Sequence, residues 1–301
     1  MNGRVAVLGA TGFFGKKIMS LFQDNGIEII GCDKNEGIIN GVPIDPIDIS
    51  KEGELSHWLN NKNISAIIYL SSKIPKSFAE ANWDLFYYNL MMHRQVMDSW
   101  KKHKCHLIFA SSCSLYTSVN PLPWREDQAI FPDNYYSISK LLGEKLFYQY
   151  CHKGLPLTVL RINAPYGVDA RSRTVINIFL ERALEGKELV LYGSGNRQQD
   201  FVYVMDVARA FWQSYLSKKT GIYNVASGKT VTMRELANSI IDITKSSSKI
   251  IYSDEPDSQE GNQVDIDISK ARDELGFSPK YSLEEGLKEC ILQYRKVKLR
   301  K

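Results

Sequence analysis

The chain has 301 residues, 44% hydrophobic and 24% charged, with Gly 20 and Pro 10; this is the usage of a folded globular chain and excludes collagenous, disordered and disulfide-scaffold classes. Thirty-eight Lys and Arg against 34 Asp and Glu leave a net charge of +4, and only the terminal run Arg295, Lys296, Lys298, Arg300 and Lys301 is concentrated, which reads as a solvated tail with no nucleic-acid partner. Five cysteines (Cys32, Cys105, Cys113, Cys151, Cys290) with no CxxC pair fit a reducing cytoplasm, and no apolar stretch approaches the roughly 18 residues of a membrane span, so a soluble, unprocessed chain is expected.

Arg4–Leu8 is a β-branched, apolar run closed by Gly9, and Lys16–Asp24 carries Ile18, Leu21 and Phe22 at helical spacing up to Asn25-Gly26. Strand, glycine turn and helix follow in that order. Ile27–Cys32 predicts a second strand, Glu54–Leu59 a short helix and Ile64–Leu70 a third strand without polar alternation. A long helix around Asp84–Lys102, a strand Leu107–Ala110, a helix around Tyr136–His152 and a strand Leu157–Ile162 complete the pattern. Continuous apolar strands between helices predict a doubly wound α/β parallel sheet covered on both faces. Beyond Pro165-Tyr166-Gly167 the pattern loosens into a smaller mixed lobe. Its predicted elements are a helix near Val175–Glu185, strands near Leu189–Leu191 and Phe201–Val204, helices near Val207–Ser217 and Met233–Thr244, and a last helix from near Ser282. The polar stretch Ser253–Asn262 is expected to be a mobile loop, having little apolar surface to bury.

Gly9-Ala10-Thr11-Gly12-Phe13-Phe14-Gly15 closes a strand and opens a helix, where glycines admit a pyrophosphate and the helix N-terminus offers N–H groups. Asp33 ends the second strand, where a carboxylate binds adenine-ribose hydroxyls and repels a 2′-phosphate. That favours NAD; Lys34 beside it leaves NADP possible. Tyr136-Ser137-Ile138-Ser139-Lys140 puts a phenol and an ammonium one turn apart on one helix face, so that Lys140 is expected to depress the Tyr136 pKa toward neutrality. Ser111-Ser112-Cys113-Ser114-Leu115-Tyr116 ends the fourth strand, at the carboxyl edge where such sheets bind ligands.

In combination these residues resemble the extended short-chain dehydrogenase/reductase superfamily, and within it the NAD-dependent epimerase/dehydratase group acting on nucleotide sugars. The resemblance covers nearly the whole chain. It implies a Rossmann-type NAD-binding domain over 1–165 with a return segment of about 200–216, and a substrate lobe over 166–199 and 217–301. It assigns Gly9, Thr11, Gly12, Phe13, Phe14 and Gly15 to the pyrophosphate turn, and Asp33, Lys34, Asp48 and Ile49 to the adenosine end. Leu70, Ser71 and Ser72 would lie along the cofactor, with Asn89 steadying the active-site helices and Pro165 also near the cofactor. Ser112, Tyr136 and Lys140 would be the catalytic set. Ser114, Asn163, Arg197 and Gln199 would face the substrate. Asp200–Val204 with Asp206-Val207, and Ile268–Ala271, Leu275–Phe277 and Ser282–Leu287, resemble the family's return segment and C-terminal signature.

The implied reaction is hydride exchange at a sugar carbon: an epimerase that recycles NAD, with an NAD(P)H-dependent reductase of a 4-keto-6-deoxy sugar as the alternative and a non-catalytic dinucleotide sensor behind both. The dehydratase branch places Asp-Glu directly after its hydroxyl, and here those positions are Cys113 and Ser114, with Cys113 read as a packing residue. Ala164 stands where the family has Asn, and Gln199 where it has Arg. Asn262–Asp267 lacks the arginines usual near that point, so Arg197, Arg171 or Arg173 is expected to take over diphosphate recognition unless the substrate is not a conventional nucleotide sugar. His57, His93, His103, His106 and His152 show no metal-ligand spacing, so no metal is expected and each is assigned a surface or capping role. Trp83, Phe86, Tyr87 and Tyr88 read either as core packing or as a homodimer seam.

Overall fold

A computed structural model describes residues 3–76, 80–168 and 174–298. Eight strands form the main sheet: β1 (Arg4–Leu8), β2 (Ile29–Asp33), β3 (Gly37–Ile39), β4 (Val42–Pro46), β5 (Ile64–Tyr69), β6 (His106–Ser112), β7 (Leu157–Ile162) and β12 (Gly221–Val225). They lie in the order β12-β7-β6-β5-β1-β2-β4-β3, every pairing parallel except that of β3 with β4. Order reverses between β1 and its neighbours β2 and β5, which opens a crevice at their carboxyl ends.

Alternation along β1 divides the core. Val5 and Val7 pack to one side with α1 (Phe13–Asp24) and α6 (Val204–Ser217); Ala6 and Leu8 pack to the other with α2 (Glu54–Leu59), α3 (Trp83–His103) and α4 (Tyr135–Cys151). A third cluster holds the remaining lobe: Tyr166 of β8 (Pro165–Tyr166), Ile176, Phe179 and Leu180 of α5 (Val175–Leu184), Leu236 and Ile240 of α7 (Met233–Thr244), and Leu287 of α8 (Leu283–Lys298). Three two-stranded sheets edge it: β9 (Leu189–Leu191) with β14 (Ile250–Tyr252), β10 (Gln198–Asp200) with β13 (Thr230–Thr232), and β11 (Val202–Tyr203) with β8.

Local chemistry sets the helix ends. The Asn82 side chain accepts from Leu85 N to cap α3, Asp84 sits in its first turn, and Lys101, Lys102 and His103 sit in its last. Thr232 and Glu235 form a capping box on α7. Helix α1 begins at Phe13, three residues before the periodicity predicted, because Gly12 serves as its N-cap. The β3–β4 hairpin was not predicted; it turns through Asn40 and Gly41, both left-handed at φ 46 and 81. The polar stretch Ser253–Asn262 is not loose but tied down: Arg197 Nε bonds Asp257 at 2.8 Å, Gln198 N bonds Asn262 O at 3.0 Å and Glu260 accepts from Ser194. Among the described residues no helix is long and apolar enough to cross a membrane.

Candidate active site

Parallel register brings the expected site residues into one row. Leu8 of β1 pairs with Cys32 and with Tyr69, and Ser112 of β6 pairs with Ile162, so Gly9, Asp33, Leu70, Ser112 and Asn163 all stand at adjacent strand ends. The chain then has to leave each strand within a few residues. Leu70 N and Ser71 N both bond Leu8 O, at 3.0 and 3.1 Å, which folds the exit of β5 against the glycine turn.

That turn tolerates only glycine at its critical points. Gly9 has φ 90, and a Cβ there would lie 2.9 Å from Ser71 Oγ; a Cβ on Gly15 would lie 2.4 Å from the carbonyl oxygens of both Gly9 and Ala10. Helix α1 carries no side-chain cap and no acid in its first turn, leaving its N–H groups to an outside anion. Asp33 is locked in place: Oδ2 accepts from Thr11 N at 3.1 Å and Thr11 Oγ1 at 2.7 Å, and Oδ1 accepts from Lys34 N at 2.7 Å. Lys34 turns away toward Asp48, Nζ to Oδ2 at 3.1 Å, and lies over the Tyr88 ring at 4.6 Å. Burial pushes the Asp48 carboxyl up, but hydrogen bonds from Ser50, Tyr88 and Lys34 prevail and hold it at about 2. Among the described residues Ser72 Oγ is buried with no hydrogen-bond partner. Phe13 and Phe14 pack toward the other lobe, and Ile49 is a core residue at 4% exposure.

At the end of β6, Ser112 caps a short turn, its Oγ accepting from Ser114 N at 3.1 Å. Tyr136, in the first turn of α4, shares a side-chain hydrogen bond with Ser112. Lys140 lies one turn on, 5.7 Å over the Tyr136 ring, with Nζ donating to Ala110 O at 2.9 Å. The expected depression of the phenol is not what this arrangement produces. Burial pushes Tyr136 up to about 12 against the pull of Ser112, and burial drives Lys140 down to about 7, partly offset by Glu144. A lysine that spends its ammonium on a carbonyl and is itself desolvated does little to ionise its neighbour.

The Tyr-x-x-x-Lys helix, the glycine cradle and the Ser112 hydroxyl thus stand at the carboxyl end of one parallel sheet, and the family model described as NAD dependent epimerase/dehydratase family matches residues 5–226. The chain belongs to that family. A UDP-N-acetyl-alpha-D-glucosaminuronate decarboxylase of Bacillus cytotoxicus is 27% identical over 99% of this chain and 99% of its own. A dTDP-4-dehydro-6-deoxyglucose reductase of Escherichia coli is 25% identical over 98% of each. Among solved structures, a UDP-glucose 4-epimerase of Thermotoga maritima with UDP-glucose is 25% identical, with 98% of this chain and 99% of that chain covered at a TM-score of 0.87. NAD, the family's cofactor, fits what is present: a glycine turn that any Cβ would fill, an uncapped helix N-terminus, a fixed carboxylate at the end of β2 and an orphaned buried hydroxyl at Ser72.

Several of the expected site residues are engaged within the protein itself. Asn89 is spent inside the protein: Oδ1 accepts from Lys73 N at 2.8 Å, and Nδ2 donates to Lys73 O at 3.1 Å and Ser139 Oγ at 3.2 Å. It therefore holds the β5 exit to α4. Asn163 and Gln199 do meet, Nδ2 to Oε1 at 3.0 Å, whereas Ser114 Oγ accepts from Ser137 Oγ at 3.2 Å. Pro165 starts β8, paired with Val202. Arg197 is engaged by Asp257 and, at 3.1 Å, by Gln259. Arg171 and Arg173 lie outside the described residues, as do Arg300 and Lys301 of the basic tail. Cys113 is buried and its thiol faces Arg161 O at 3.2 Å, in keeping with packing. Ala164, where the family has Asn, adopts φ 28, a conformation that Asn tolerates better than Ala. Two histidines are not on the surface: His93 is 1% and His106 5% exposed. Their helical and strand faces carried that signal, since Met92 and Val96 flank His93 on the buried side of α3.

Proposed function

We propose that the protein is an NAD-dependent epimerase of a nucleotide-activated sugar, with a UDP-sugar as the substrate class. The observation that carries this reading is the contact of Tyr136 with Ser112 at the end of β6, with Lys140 one turn away and no carboxylate following Ser112. A single proton-transfer group suits oxidation and reduction at one carbon, whereas elimination of water needs a further acid and base. Cys113 and Ser114 supply neither.

NAD, when bound, supplies the hydride acceptor and, once reduced, the donor. The protein's part is proton handling and orientation. Tyr136 takes the proton of the sugar hydroxyl as its carbon is oxidised to a keto sugar, and returns it after the sugar has turned its other face. Ser112 Oγ, already bonded to Tyr136, orients the reacting oxygen. Lys140, whose Nζ donates to Ala110 O in the protein alone, would hold the cofactor ribose. Tyr136 stands near 12 in the protein alone, and the positive charge of a bound, oxidised nicotinamide would favour its ionisation. Asn163 and Gln199 close the substrate side. The chemistry predicts that Tyr136→Phe lowers turnover by about 10²–10⁴-fold, the usual range for a lost acid–base group, without loss of NAD binding. The test is a panel of UDP-sugars followed by chromatography, with acid release of dinucleotide counted per chain. Inversion without net reduction, with near-stoichiometric NAD, supports the epimerase; stoichiometric consumption of NADH or NADPH refutes it in favour of a reductase.

The reading extends to a cytoplasmic homodimer joined through α3 and α4. Trp83 and Tyr87, one turn apart, are 59% and 52% exposed, and Trp83 meets the half-exposed Tyr135 at 6.4 Å, while Phe86 turns inward. Such an aromatic patch supports a seam. All five cysteines are free, which accords with a reducing compartment.

A further inference from the structure

His93 lies beneath the catalytic helix and has no assigned part. Its ring is boxed by Tyr69, Phe109 and Phe147, with centroids 5.6, 5.5 and 5.9 Å away. Both nitrogens are used: Nε2 lies 3.0 Å from Ser139 O, and Nδ1 lies 2.8 Å from Tyr69 OH. A carbonyl can only accept, so Nε2 carries the proton and Nδ1 accepts from the phenol. The ring is therefore the neutral Nε2–H tautomer. Burial pushes its pKa down to about 3, with Lys140 adding to the fall and the Ser139 bond opposing it, so it stays neutral at any working pH.

Ser139 is the last of the three residues between Tyr136 and Lys140 on α4. Its carbonyl is gripped by His93, its hydroxyl accepts from Asn89 Nδ2 at 3.2 Å, and that hydroxyl donates to Tyr136 O at 2.7 Å. Asn89 and His93 are one turn apart on α3 and grip one point together. Gly143 makes the approach possible, since a Cβ there would lie 3.0 Å from His93 Nε2 and 2.9 Å from Phe109. Tyr69 is the last residue of β5, directly before the Leu70–Ser72 exit.

We propose that His93 is a positioning residue of the reaction: held by Tyr69 at one nitrogen, it clamps Ser139 O and so fixes the turn of α4 that carries Tyr136 and Lys140 relative to the strand end at which the cofactor lies. The clamp joins β5, α3 and α4 through buried polar groups alone. This rests on the proposed function for the reaction but not for the geometry. Hydride and proton transfer tolerate little misplacement, an error near 1 Å costing on the order of 10²-fold.

The experiment compares His93→Leu with His93→Gln, whose amide reaches as far, donates to Ser139 O and accepts from Tyr69. Two readouts are taken: kcat and KM on the UDP-sugar turned over, and amide hydrogen exchange with and without NAD. H93L is expected to lower kcat about tenfold or more with KM within about threefold, and to speed exchange in Tyr135–Gly143 while α6 and α7 are unchanged. H93Q is expected to restore both. Equal behaviour of the two variants, or faster exchange throughout the protein with kcat and KM moving together, overturns the proposal in favour of plain core packing. Should H93L fail to fold, Tyr69→Phe, which removes one hydroxyl, carries the same expectation with a smaller drop in kcat and the same local exchange. If wild type turns over no sugar, the proposed function fails and the exchange readout still decides His93: no local change in Tyr135–Gly143 overturns it.

Discussion

Asp33 and Lys34 are adjacent and opposed, and their variants separate the two dinucleotides. Asp33 is fixed by three donors, from Thr11 N, Thr11 Oγ1 and Lys34 N, at 3.1, 2.7 and 2.7 Å. A charge-assisted bond from a ribose hydroxyl to such a carboxylate is worth about 1.5–3 kcal/mol, or about 10–150-fold in Kd. A 2′-phosphate forfeits it and meets a like charge. Lys34 offers compensation, but its ammonium already pairs with Asp48, and at 55% exposure its attraction to any anion is worth at most about 1 kcal/mol. The carboxylate wins. NAD should bind at least about tenfold more tightly than NADP, measured by calorimetry with both dinucleotides at one ionic strength, because exposed charges are screened by salt. Asp33→Asn removes the charge and turns an N–H toward one of its former donors, so NAD affinity should fall by about 10–100-fold and the preference should shrink to within about threefold. Lys34→Ala should leave NAD affinity within about threefold and widen the preference. Equal affinity of wild type for the two dinucleotides, or an unchanged ratio in Asp33→Asn, would refute this reasoning.

Three further perturbations test the substrate side and the cost of the site. Asp257→Asn loosens Arg197, whose guanidinium is held at 2.8 Å, and UDP should bind about fivefold more tightly, while Arg197→Ala should weaken it about tenfold; calorimetry with UDP that finds neither change removes Arg197 from the substrate site. Lys140, at about 7 when folded against roughly 10.4 unfolded, means that the unfolded chain binds more protons between those values. Stability therefore rises with pH from about 7 to 10, and the penalty is fully in force at and below about pH 7. Lys140→Met should abolish turnover, flatten that slope and raise Tm at neutral pH by about 2–4 °C; an unaltered slope in thermal melts across the window would count against it. Ala164→Gly relieves φ 28, worth about 1–2 kcal/mol against about 0.5–1 for the added chain freedom, so a small rise in Tm is expected; a fall would mean that the Ala164 methyl is needed for packing.

Much of this site was legible because its residues sit at fixed distances from strand ends. Gly9, Asp33 and Asn163 each follow an apolar run directly and Ser112 follows one by a single residue, and parallel register turns those separate endings into one row. Tyr136 and Lys140 needed only helical spacing. What escaped was whatever depends on partners remote in sequence. Arg197 reads as a free cation until Asp257, sixty residues on, is placed against it. The Tyr136–Lys140 spacing suggests a depressed phenol, yet Ala110 O, thirty residues before Lys140, takes the ammonium. The two strands of the β3–β4 hairpin are three and five residues long, too short for periodicity, although Asn40-Gly41 marked their turn.

His93 is the instructive case, because the sequence did contain its address. Leu85, Asn89, Met92, Val96 and Trp100 recur at intervals of four, three, four and four, and all are buried along α3. His93 adjoins Met92 and stands one turn from Asn89, inside that stripe, so periodicity places it in the core, where an imidazole must have both nitrogens satisfied. Metal-ligand spacing carries no information about a histidine buried in this way. The groups that satisfy it are near at hand: Tyr69 ends the strand against which α3 packs, and Gly143 is the one residue of α4 without a side chain to exclude the ring. A polar residue on an apolar stripe, opposite a glycine on the neighbouring helix, predicts a backbone carbonyl as its partner. Here that carbonyl belongs to Ser139, the residue immediately before Lys140.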